Sequence, residues 1–191
     1  MRRVACAAVL ALSAPALPHR LDEYLQLTAL TVTKGRIEAK MILTPGVAVA
    51  KRVVTLIDTD RDGILSEREK EAYAARVLRD VSLSVDGKAL RLRVVATRFP
   101  SIAAMSKGVG EIDLDLAAPT SGRSGDHRLR FENRHQKPLA AYLVECFAPD
   151  DPGLRVLGQS RSREQERYEL AYRQSAPSGA PGRTFPARTA S

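Results

Sequence analysis

Apolar residues recur at every second position through much of this chain. In "HRLDEYLQLTALTVTKGRIEAKMILTPG", Ile37, Ala39, Met41 and Leu43 alternate with Glu38 and Lys40, and two such runs flank Lys34-Gly35. Period two marks a strand with one buried face, so the segment predicts a β-hairpin that "TPG" ends at Thr44 to Gly46. "SLSVDGKALRLRVV" repeats the pattern around Asp86-Gly87, a strong short-range hairpin signal. Further strands are expected in "GEIDLDLAAP" (Ile112, Leu114 and Leu116 on one side), "HRLRFEN", "AAYLVECFAP" and "EQERYELAYR" (Tyr168, Leu170 and Tyr172 on one face). That makes about seven or eight strands, spaced by Gly- and Pro-bearing turns.

The period changes once. "VAVAKRVVTLI" can place Val47, Ala50, Val53, Val54 and Ile57 on one helical face. "SEREKEAYAARVLRD" opens with Ser66 and has Glu69 three residues on, the pattern of a capping box, and Tyr73, Val77 and Leu78 supply its apolar side. The expected fold is therefore mainly β with a helical insertion at about 47–79, an antiparallel β-sandwich of Ig-like kind.

Between the two helical segments lies "DTDRDGILSERE". Calcium is a hard cation that takes six to eight oxygens at about 2.3–2.6 Å. A short loop supplies them only if alternate side chains turn inward and the backbone folds sharply midway. Asp58, Asp60 and Asp62 offer carboxylates, Gly63 permits a left-handed turn, Ile64 offers its carbonyl, Ser66 a hydroxyl or a held water, and Glu69 both carboxylate oxygens. Over these twelve residues the chain resembles the EF-hand family, matching D-x-D-x-D-G-x-[apolar]-S-x-x-E throughout. The resemblance implies helices on both sides, with Val54 and Ile57 before the loop and Tyr73 and Val77 after it. It also implies a Ca2+ cofactor and a short β-bridge at Leu65. EF-hands usually come in pairs and this chain has one, so binding at about 10⁻⁴–10⁻³ M is expected, as in extracellular modules.

Length, charge and the first residues set the context. The 191 residues suit one domain, 44% are apolar, and the formal net charge is +8. "MRRVACAAVLALSAPA" joins a basic start (Arg2, Arg3), a short apolar run and a small-x-small site, and reads as a secretory signal peptide over 1–16, cut after Ala16. The expected organisation is then a domain over 17–174 and a Pro/Ser/Gly/Ala-rich tail over 175–191, disordered by composition. The product is expected to be exported, periplasmic or secreted, with no transmembrane segment. Cys146 is left as the mature chain's single thiol, in an apolar run that suits a buried strand better than a nucleophile.

Other chemistry is sparse. His19, His127 and His135 form no H-x-H, HExxH or Cys-His cluster. Glu111, Asp113 and Asp115 read as a solvated face paired with arginines such as Arg128 and Arg130. The basic stretch from Arg123 to Lys137 has only Phe131 for stacking, which speaks against nucleic acid. No nucleophile elbow, phosphate loop or catalytic carboxylate pair stands out, so the chain is not expected to be an enzyme. A wider resemblance covers Pro18 to Tyr172: "PHRLDEYLQ", "LTPGVAVA", "LSVDGKALRL", "LRFENRHQ" and "AYLVECF" resemble the extracytoplasmic N-terminal domain of bacterial nickel/cobalt transporter-type membrane proteins. It implies an accessory version of that domain and an envelope or membrane-transporter protein as partner. The leading expectation is an exported, calcium-binding, non-catalytic partner-binding module at the cell envelope. The alternatives are a nickel- or cobalt-handling accessory domain using His19, His127 or His135, and a hydrolase with an unrecognised site.

Overall fold

A computed structural model describes residues 22–147 and 152–176. The expected signal peptide, His19 and the tail from 177 lie outside the described residues. Ten strands and three helices follow in the order β1 (Tyr24–Thr33), β2 (Arg36–Pro45), α1 (Val47–Ile57), α2 (Glu67–Asp80), β3 (Val81–Val85), β4 (Lys88–Ala89), β5 (Arg93–Arg98), α3 (Ile102–Ser106), β6 (Ile112–Pro119), β7 (Gly125–Asn133), β8 (Ala140–Phe147), β9 (Leu154–Arg161) and β10 (Arg167–Gln174). The fold is mainly β, in two five-stranded sheets ordered β5-β6-β2-β1-β8 and β4-β3-β7-β10-β9.

Both expected hairpins form, with left-handed residues where each turn needs them: Gly35 at φ 84°, and Asp86 and Gly87 at 51° and 76°. Alternation does the rest. Ile37, Ala39, Met41 and Leu43 of β2 are buried, as are Ile112, Leu114 and Leu116 of β6 and Tyr168, Leu170 and Tyr172 of β10. These side chains join Leu83, Leu129 and Phe131 of the second sheet and Val53, Ile57, Tyr73 and Val77 of the helices in one hydrophobic cluster. The two sheets and the helical insertion thus share a core.

Four features depart from the sequence expectation. β8 runs parallel to β1, from Tyr24 opposite Ala140 to Thr31 opposite Phe147, while the other strand neighbours are antiparallel. The second strand of the Asp86-Gly87 hairpin pairs only over Lys88–Ala89; the chain then leaves as β5 to pair with β6 in the other sheet. Leu92, 7% exposed, is buried in the shared core at this crossing and anchors it. β9 and α3 are additional elements. β9 is an edge strand exposed along nearly its whole length, so it carries no buried alternation to read. α3 has five residues, too few for a helical period.

The acidic residues of the β6 region are also paired differently. Asp113 pairs with Arg98 and Asp115 lies 3.9 Å from Lys40, both within the first sheet. Arg130 pairs with Glu169 across β7 and β10 of the second sheet, where Arg128 also sits. Glu111 precedes β6. Cys146 is half-buried on β8, and burial pushes its thiol up to about 11, which suits a structural thiol.

Candidate metal centre

Helix α1 buries Val49, Ala50, Val53 and Ile57 and ends where Asp58 becomes its C-cap, the Asp58 amide donating to the Val54 carbonyl at 2.8 Å. A carboxylate here faces the partially negative end of the helix, an unfavourable contact. The chain then turns on its own acidic side chains. Asp60 Oδ1 accepts from the Asp62 amide at 3.2 Å, Asp62 Oδ1 from the Ile64 amide at 2.7 Å, and Asp58 Oδ2 from the Gly63 amide at 3.2 Å. Arg61 and Gly63 take left-handed backbone, φ 64° and 82°. A side chain at position 63 would meet no atom within 4 Å, so the demand for glycine there is conformational and not steric.

Ser66 caps α2, and the capping box is complete: Ser66 Oγ accepts from the Glu69 amide while the Glu69 carboxylate accepts from the Ser66 amide. Glu69 Oε2 takes the Ser66 amide at 3.0 Å and hydroxyl at 2.8 Å; Oε1 takes the Thr59 amide at 2.6 Å and hydroxyl at 3.0 Å. These bonds, Ser66 first and then Thr59, hold the Glu69 carboxyl down to about 2. Desolvation opposes these bonds and is the weaker effect.

Oxygens of Asp58, Asp60 and Glu69 lie within 4.8 Å of one another, the only such cluster of metal-ligating groups among the described residues. Asp58 is 6% exposed, and its Oδ1 is buried without a hydrogen-bond partner, alone in this among the described residues' side-chain polar atoms. An unpaired buried carboxylate oxygen is costly unless something positive meets it. Three carboxylates, with no imidazole or thiolate among them, suit a hard cation such as calcium.

Of the four carboxylates among the six residues expected as ligands, the structure clusters Asp58, Asp60 and Glu69, while Asp62 turns a carboxylate oxygen to the Ile64 amide. Ser66 Oγ bonds Glu69. Leu65 lies in no strand; it packs partly buried against the core. Thr59 is the loop residue that ligand spacing passes over, because it donates to Glu69 instead of offering a carboxylate of its own.

The histidines are engaged elsewhere. His127 places Nδ1 2.7 Å from Asp86 Oδ2 and Nε2 2.8 Å from the Arg123 carbonyl. His135 is fully buried, with Nδ1 2.7 Å from Asp80 Oδ2 and Nε2 3.0 Å from the Tyr73 hydroxyl, which lies 2.6 Å from that of Tyr24. Neither ring has a nitrogen to spare for a metal in this arrangement. The His135 backbone is held as firmly: its carbonyl accepts from Gln26 Nε2 and Tyr142 Oη, and its amide donates to Asn133 Oδ1, each at 2.9 Å. Tyr73 and Asp80 stand on α2, so the helix that begins in the acidic loop is bolted to β1 and to the turn after β7. Comparison with known protein families, curated proteins and solved structures finds none that matches this chain.

Proposed function

We propose that this chain is an exported, non-catalytic calcium-binding domain. Its loop from Asp58 to Glu69 takes one Ca2+ in the manner of an EF-hand, on a two-sheet frame of sandwich type. The observation that carries this is the Asp58 carboxylate: it clusters with those of Asp60 and Glu69, and its Oδ1 is buried with no partner. Asp58 and Asp60 would supply the first oxygens and Glu69 would close the shell from α2. The ion would relieve repulsion among the carboxylates and the unfavourable contact between Asp58 and the end of α1. Because α2 is packed into the shared core, an ion held between the helices stabilises the domain by linkage, about 1.4 kcal/mol at ten times Kd. Export rests on the N-terminal pattern of Arg2, Arg3, the apolar run and "APA". An accessory role toward an envelope protein rests on the transporter-domain resemblance.

Isothermal titration of the full chain with calcium, magnesium and nickel tests this. Calcium should bind at about 10⁻⁴–10⁻³ M, ahead of magnesium, which demands tighter octahedral geometry. Asp58→Asn should abolish most of the heat. No calcium heat, or equal heat in the variant, overturns the proposal.

A further inference from the structure

A carboxylate offers about four lone-pair positions. Those of Glu69 are all taken, Oε1 by the amide and hydroxyl of Thr59 and Oε2 by the amide and hydroxyl of Ser66. The Asp58 carboxylate clusters with that of Glu69, and its Oδ1 has no donor at all. The two ends of one candidate site are thus in opposite conditions, one saturated and one starved.

We infer that Glu69 is held by an internal latch, and that the Thr59 hydroxyl sets how tightly the loop binds calcium by competing with the ion for Oε1. The inference rests on the calcium reading of the loop. An arriving ion meets Asp58 first, with Asp60 beside it. Glu69 joins only by exchanging hydrogen bonds for metal contacts, since neither of its oxygens has a free lone pair. Each bond given up is charge-assisted, so the exchange costs affinity.

Thr59 is the separable half of the latch. Ser66 caps α2, so removing its hydroxyl would damage the helix start as well. Thr59 is exposed, caps nothing, and meets Glu69 through a hydroxyl that valine lacks and serine keeps. The experiment is calcium titration of full-length wild type, Thr59→Val and Thr59→Ser, with thermal melts of each in chelator and in saturating calcium. Thr59→Val should bind calcium roughly three- to tenfold more tightly, since one hydrogen bond to a charged group no longer competes. Thr59→Ser should bind like wild type. In chelator Thr59→Val should melt at or slightly below wild type, so its calcium-induced shift should be the larger. A purely structural threonine would lower the melting point and the affinity together. If wild type binds calcium and Thr59→Val binds equally or more weakly, the latch is overturned and the calcium site stands. If wild type binds no calcium, both fall.

Discussion

Two Asp–His pairs in this molecule share a geometry and differ in state. Asp80–His135 and Asp86–His127 each place Nδ1 2.7 Å from a carboxylate oxygen. The His127 Nε2 faces a backbone carbonyl, which can only accept, so the geometry favours the imidazolium, in which both ring nitrogens donate. Its pKa is raised, chiefly by the bond to Asp86; desolvation opposes this, and the bond to the Arg123 carbonyl adds a lesser rise. The His135 Nε2 faces the Tyr73 hydroxyl, which can donate, so a neutral ring satisfies every atom: Tyr24 donates to Tyr73, Tyr73 to Nε2, and Nδ1 to Asp80. Burial lowers the pKa of His135 and outweighs the attraction of Asp80. A carboxylate neighbour therefore does not decide a histidine's charge. The partner of the other nitrogen and the loss of water decide it.

The comparison can be broken by deletion. His135→Ala should cost about 3–4 kcal/mol in urea denaturation, because it opens a cavity and strands the Tyr73 hydroxyl. His127→Ala should cost less, about 1 kcal/mol, since its partner Asp86 is half-exposed and water can replace the bond it loses. Equal losses would erase the distinction.

Acid should act next most strongly, and with opposite sign at the two rings. With His135 lowered from 6.5, the unfolded chain binds a proton that the folded chain refuses, so stability is full above about pH 6.5 and falls as pH drops through the lowered value. Urea midpoints at pH 7 and pH 5 should show the loss, and His135→Gln should flatten it. Glu69 does not share in this loss: with its carboxyl lowered from 4.5 to about 2, its contribution is present above about pH 4.5 and fades only between there and pH 2.

Tyr24→Phe should cost about 1 kcal/mol, because it removes the first donor of the buried chain and leaves the bond from Tyr73 to His135 intact. The smallest effect belongs to His127. Its raised pKa gives stability that is present below about pH 6.5 and is lost as pH rises through the raised value. His127→Gln should remove a shallow alkaline decline, read as the slope of the urea midpoint between pH 6 and pH 9. A variant as pH-dependent as wild type would mean that the imidazolium holds nothing.

Sequence pattern reaches the parts of this molecule that are local. The hairpin turns at Gly35 and Asp86-Gly87, the Ala50, Val53 and Ile57 stripe of α1 (with Val49 buried in place of Val47) and the Ser66–Glu69 capping box each depend on residues a few positions apart. The clustering of Asp58, Asp60 and Glu69 is legible for the same reason. What stays hidden is long-range or reverses the usual pattern. The inward face of β1 includes Gln26 and Thr28, both buried, while Leu25 and Leu27 point the other way with partial exposure. Alternation alone does not decide this strand, whose two faces carry three apolar residues each. Gln26 fits the inward face because it bonds the His135 carbonyl and Asn133 Nδ2, partners more than a hundred positions away. The latch on Glu69 is hidden differently. Ligand spacing counts the groups a metal could use, and Thr59 acts by occupying one of them.

The parallel pairing of β1 with β8 sets the order in which the chain can assemble. Tyr24 and Ala140 are 116 positions apart. β1 and β2 can zip as soon as both are made, since only Lys34 and Gly35 separate them. The other edge of β1 must wait for nearly the whole domain, and closing so long a loop before its contacts form slows folding. Until β8 arrives, a ten-residue strand offers an open row of amides and carbonyls, flanked by Leu25 and Leu27, to any neighbouring chain. Refolding should thus be a contest between a late intramolecular strand and an early intermolecular one, with a yield that falls as protein concentration rises.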